Sequence, residues 1–182
     1  SAPWDIYAVR LSALGQVLGA AFQVTTAAAN QQNAAVAFNG TSFLVVWEDR
    51  RNDTTPDIYA ARVRTDGTVL DPNGLSIAGG PQSMAAPDVA GFSGQFVVVW
   101  ENYASVIAPD IFGLRLDGAS GLPISSALCV AGATCATFSG GNQSAPRIAA
   151  SSNGYLVTWT DNRNGNDDVF GARLSATANL LD

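Results

Sequence analysis

The pattern Asp-[Ile/Val]-[Tyr/Phe]-[Ala/Gly]-x-Arg-[Leu/Val] occurs at Asp5–Leu11, Asp57–Val63, Asp110–Leu116 and Asp168–Leu174. Successive copies lie 52, 53 and 58 residues apart. A second pattern, aromatic-[Leu/Val]-Val-[Val/Thr]-Trp, ends at Trp47, Trp100 and Trp159, at intervals of 53 and 59 residues. Two independent markers keeping step define an internal repeat, and the repeat governs what the chain can build.

Each full unit reads as four short strands. In the unit 83–140 they are A, "DVAGF" (88–92); B, "FVVVW" (96–100); C, "IFGLRL" (111–116); and D, around "ISSALCV" (124–130). The other divisions are a half unit at 1–30, a unit at 31–82 and an incomplete unit at 141–182. Asn-Gly at 39–40 and 153–154 suits tight A–B hairpins, and Asp-Gly at 66–67 suits a C–D hairpin. Pro87 and Pro146 are expected at the mouths of A strands, where a missing N–H does no harm.

Setting Asp49 opposite Asp57 across the B–C turn places Trp47 opposite Tyr59. The same register places Trp100 opposite Phe112 and Trp159 opposite Phe170. The marker is thus a recurring aromatic packing rung. Tandem four-stranded antiparallel units of about 50 residues are the signature of β-propeller blades. The expected fold is all-β and propeller-type, with a β-sandwich as the alternative.

The count comes to about three and a half blades, because the chain opens on a C strand and its last unit stops just after its own C strand. Both ends would offer a C strand to a shared blade, so simple closure fails. Three arrangements remain: a piece of a longer propeller, copies combining partial blades, or end-to-end pairing through open edges.

The hairpins "WTDNRNGNDDVFGARL" (159–174) and "WEDRRNDTTPDIYAARV" (47–63) resemble the WD40-like repeats of Tol-type periplasmic β-propellers. The resemblance covers the B–C hairpin of each unit. The A–B turns "FNGTS", "FSGQ" and "SSNG" differ from the Ser-Pro-Asp-Gly type of that family. It implies a secreted or periplasmic scaffold that binds proteins or glycans without chemistry of its own.

Composition narrows function by exclusion. All 9 basic residues are Arg, spread along the chain, against 15 acidic ones, for a net charge of −6. Nucleic-acid binding needs clustered cations, and anionic membrane surfaces are disfavoured for the same reason. No apolar run reaches the length of a membrane span. With no His and no Lys there is no imidazole base, no Ser-His-Asp triad and no Schiff-base lysine.

Glu48 and Glu101, the two glutamates, occupy one repeat rung. A glycosidase pair is the functional reading; rim carboxylates pairing with Arg, Glu48 with Arg62 and Asp49 with Arg50, are the structural one. "DNRNGNDD" (161–168) has a calcium-loop flavour, but Arg163 stands where a ligand is needed. Arg10, Arg62, Arg115 and Arg173 recur on one face of their C strands, as a rim for ligand binding or as inter-strand ties.

Cys129 and Cys135 are read as a small-loop disulfide of a secreted, periplasmic or cell-surface protein, with two buried thiols as the alternative. Asn39, Asn52 and Asn142 head sequons that matter only in a eukaryotic secretory setting. The expectation is a non-enzymatic scaffold for a protein partner or for other copies of itself, without a cofactor. A carbohydrate-binding module is the alternative, and a glycoside hydrolase fragment stands behind it.

Overall fold

The computed structural model describes residues 4–52, 55–103, 108–131 and 141–182, which form antiparallel sheets joined by turns. β1 (Tyr7–Ala8) pairs with β2 (Phe22–Gln23). β3 (Gln31–Phe38), β4 (Ser42–Asp49), β5 (Asp57–Arg64) and β6 (Leu75–Ala78) form a four-stranded sheet in chain order. β7 (Ser83–Phe92), β8 (Gln95–Tyr103), β9 (Asp110–Asp117) and β10 (Leu128–Ala131) form a second. β11 (Gln143–Ser151), β12 (Gly154–Asp161) and β13 (Asp168–Ser175) form a three-stranded sheet. These meanders are propeller blades; among the described residues none of the sheets closes on itself.

The middle strands show why this sequence folds so. Strands covered on both faces are apolar nearly throughout, and β4 and β8 are buried over most of their length. Ser93 and Gly94, at φ +50° and +77°, make the tight A–B turn of the second full blade. Gly91 serves the contact between blades. A Cβ there would lie 2.3 Å from the carbonyl oxygen of Phe38, so only glycine lets β7 approach the preceding blade.

The core lies between sheets. Leu44, Val46 and Ile58 of one blade pack against Val89, Phe96 and Val98 of the next. Val97, Val99 and Ile111 pack in turn against Ile148, Tyr155 and Val157. Ile6 and Val24 of the first pair cover Val45, Trp47 and Tyr59. In every blade one face looks back and the other looks forward, as alternation along a strand requires.

Two expectations need correction. Pro87 and Pro146 lie inside β7 and β11, at bulges between Ala85 and Asp88 and between Ser144 and Arg147. A bulge leaves an N–H unpaired, so proline fits the strand interior there. The D strand of the second full blade is β10 alone; upstream, Pro123 makes an isolated bridge to Leu116.

Candidate interaction surface

The register places Trp47 opposite Tyr59, Trp100 opposite Phe112 and Trp159 opposite Phe170. Each pair is stacked, with ring centroids 6.5, 6.3 and 6.5 Å apart. Trp47 Nε1 donates to Asp49 at 2.9 Å, and Trp159 Nε1 to Asp161 at 3.1 Å. Arg51 bonds Asp49 and lies over Tyr59; Arg163 bonds Asp161 and lies over Phe170. The partner of Asp49 is therefore Arg51, in place of the expected Arg50.

The Trp47 and Trp159 rungs are closed at the turn by Trp-x-Asp-x-Arg, a spacing present in the sequence. In the second full blade Asn102 replaces the aspartate, and Trp100 Nε1 and Asn102 Oδ1 are buried without a hydrogen-bond partner. Burial pushes the Asp161 carboxyl up, but hydrogen bonds from Arg163 and Trp159 outweigh it and hold the pKa at about 2. That carboxylate is committed to Arg163 and Trp159 at the position where a calcium ligand would stand.

Glu48 and Glu101 are buried latches between blades. Glu48 accepts from Gln32 Nε2 at 2.9 Å, Asn33 Nδ2 at 2.7 Å and the Ala86 amide of the next blade at 2.8 Å. Glu101 accepts from Tyr103 Oη at 2.8 Å and the Ala145 amide at 2.6 Å. Burial, and then the bond to Glu101, pushes the Tyr103 hydroxyl up to about 12. The expected Glu48–Arg62 pair is not formed, because Glu48 faces Ile58 and Arg62 faces Leu44.

Two of the repeated arginines, Arg10 and Arg62, tie their unit to a turn of the next. Arg10 donates to the Thr65 carbonyl at 3.3 Å, and Arg62 donates to the Ala119 carbonyl. Arg62 also bonds Asp71 at 2.8 Å, and Arg173 bonds Asp182. Asp71 feels burial raising its pKa, but the bonds from Arg62 prevail and hold it below the ordinary range. Arg115 has Ser125 on its backbone amide where Arg62 has Asp71, and its Nε is buried without a hydrogen bond.

A groove of about 550 Å³ lies beside β1. Tyr7, Val9, Leu11, Phe22, Val36 and Phe43 line it, with other apolar groups. Among the described residues β1 pairs with β2 alone, and Tyr7, Val9 and Leu11 are exposed beside it. This groove is not legible in the sequence.

Cys129 lies on β10, whereas Cys135 lies outside the described residues, as does Thr54 of the Asn52 sequon. Asn39 is buried and caps its own turn, accepting from Thr41 and Ser42 amides at 2.9 and 3.0 Å. Asn142 is exposed. Among the described residues, no helix is long and apolar enough to cross a membrane.

No family model and no curated protein matches the sequence. Solved structures do match in fold. A subtype N10 neuraminidase-like protein of A/little yellow-shouldered bat/Guatemala/060/2010 is similar over 97% of this chain and 50% of its own, at 14% identity and TM-score 0.59. A thermostable family-43 glycoside hydrolase is similar over 91% of this chain and 66% of its own, at 12% identity and TM-score 0.53. The Bacteroides ovatus xyloglucan PUL GH43B protein is similar over 83% and 28%, at 10% identity and TM-score 0.52. The chain thus spans about half the length of the neuraminidase-like protein it resembles. At such identities the likeness concerns the fold, and the fold is that of a β-propeller.

Proposed function

We propose that this chain is a non-catalytic, secreted or cell-surface β-propeller scaffold that works by binding other proteins. The observation that carries the reading is the apolar groove beside β1, flanked by exposed Tyr7, Val9 and Leu11, where an extended segment would gain apolar burial and main-chain hydrogen bonds together. The two glutamates offer it further support, since both are buried and spend their oxygens on side chains and backbone amides. The likeness of the B–C hairpins to Tol-type repeats and the proposed Cys129–Cys135 bridge support an oxidising, extracytoplasmic setting.

The test is a panel of chromogenic glycosides, including sialosides, xylosides and arabinosides, offered to the wild type and to Glu101→Gln. No turnover by either is expected. Turnover by the wild type that is lost in Glu101→Gln refutes the non-catalytic reading. A carbohydrate-binding module is the second reading, favoured by the likeness to a family-43 glycoside hydrolase. Saturable binding on a glycan array without turnover would select it.

A further inference from the structure

Three of the four repeated arginines spend their guanidinium on acceptors within the chain. Arg62 grips Asp71 as a fork, Nε donating to Oδ2 and Nη2 to Oδ1, both at 2.8 Å. The Arg62 amide adds a third bond to Oδ2 at 3.0 Å. Arg173 holds Asp182 in the same way, through Nε, Nη2 and its amide. Arg10 donates to the Thr65 carbonyl. Arg115 is the exception. Its amide donates to Ser125 Oγ at 3.3 Å, so a serine occupies the place of the aspartate. Arg115 Nε is left buried without a hydrogen-bond partner, and among the described residues no carboxylate pairs with this guanidinium.

A cavity of about 270 Å³ lies at the same place, between the second full blade and the sheet β11–β13. Arg115, Ser125 and Thr177 line it on the polar side, and Val97, Leu128 and Leu174 on the apolar side. At the preceding joint the corresponding guanidinium is engaged on both sides, by Asp71 and by the Ala119 carbonyl. The Tyr155 hydroxyl, in the apolar cluster of the Arg115 joint, is also buried without a hydrogen-bond partner. Burial pushes that hydroxyl up and the Arg115 charge pulls it down, which puts the two groups within electrostatic reach. A buried N–H without an acceptor loses its solvation and gains nothing in return. The planar fork of a guanidinium matches the two oxygens of a carboxylate, and Asp71 and Asp182 show that this strand position takes that group.

We propose that the cavity binds a small aliphatic carboxylate, whose oxygens take on Arg115 the places that the Asp71 oxygens take on Arg62. The Ser125 and Thr177 hydroxyls supply further donors, and the short tail rests on Leu128 and Leu174. The volume is below the roughly 300–1,000 Å³ of pockets for drug-sized ligands, so the tail is a few carbons long. The site shares no residue with the groove beside β1 and does not rest on the reading of that groove.

The experiment follows the arginine Nε–H resonances by NMR while butyrate, acetate or inorganic phosphate is added at constant ionic strength. The Arg115 signal is identified by its loss in Arg115→Gln. In the wild type, butyrate is expected to move that signal saturably, with a Kd on the order of millimolar. Acetate is expected to bind several-fold more weakly, because its tail buries less apolar surface, and phosphate to give no saturable shift. In Ser125→Asp the new carboxylate is expected to pair with Arg115 and abolish the response to butyrate. Ser125 is exposed, so this variant should keep the circular dichroism of the wild type. The proposal is overturned by a wild type without a saturable shift, by a phosphate response equal to that of butyrate, or by a butyrate response that survives in Ser125→Asp.

Discussion

The turn aspartates show how one residue is fixed by what lies two positions away. Adjacent residues in an extended chain point to opposite sides, so Asp49 finds Arg51 rather than Arg50. Likewise Glu48 and Arg62 stand four rungs apart, roughly 13 Å along the strand, too far for the pair read from the sequence. For Asp161 the folded-state pKa of about 2 lies below the ordinary aspartate value of about 3.9. A depressed folded pKa contributes stability that is full above about pH 4 and is lost as pH falls toward 2. Asp161→Asn should therefore lower stability at neutral pH by on the order of 1–3 kcal/mol and flatten this part of the acid limb. Urea unfolding at pH 7, 4 and 2.5 checks both, and an acid limb identical to wild type would refute the assignment.

At the scale of the strand, the recurring device is the bulge in each A strand. Asn33, Ala86 and Ala145 occupy one repeat position at φ +55°, +48° and +51°. The left-handed turn there redirects the amide, and at Ala86 and Ala145 it is delivered to the glutamate of the preceding blade. Glu48→Ala leaves that amide and two side-chain donors without their acceptor. The expected cost is about 1–3 kcal/mol by urea unfolding, because an unsatisfied buried donor loses its full solvation. Ala86→Val should also destabilise, since a β-branched residue tolerates positive φ poorly; its melting temperature is expected to fall below that of wild type. The strands and their register were legible because hydrophobic alternation and the Trp rung fix them. The bulges were not, because a proline after a polar stretch looks the same at a strand mouth as at a bulge within a strand.

The whole molecule is held by joints in series. One apolar cluster lies at each contact between successive sheets, and each draws its residues from neighbours alone. Stability in such an array is a sum of unit and nearest-neighbour contributions, so damage should stay local. Trp159 is buried in the last joint and touches none of the first. Trp159→Ala removes a large buried side chain, at a cost of roughly 3–5 kcal/mol to the sheet that holds it. Hydrogen exchange is expected to accelerate in β11–β13 and in the facing strands β8–β10, with β3–β5 keeping their protection. Equal loss of protection in all sheets would mean instead that the blades unfold as one unit. The repeat period made the order of blades readable from sequence, whereas the groove beside β1 was not, because Tyr7, Phe22, Val36 and Phe43 come to it from four separate strands. Periodicity reports the strands; which apolar side chains their packing leaves exposed emerges only when those strands are placed in three dimensions.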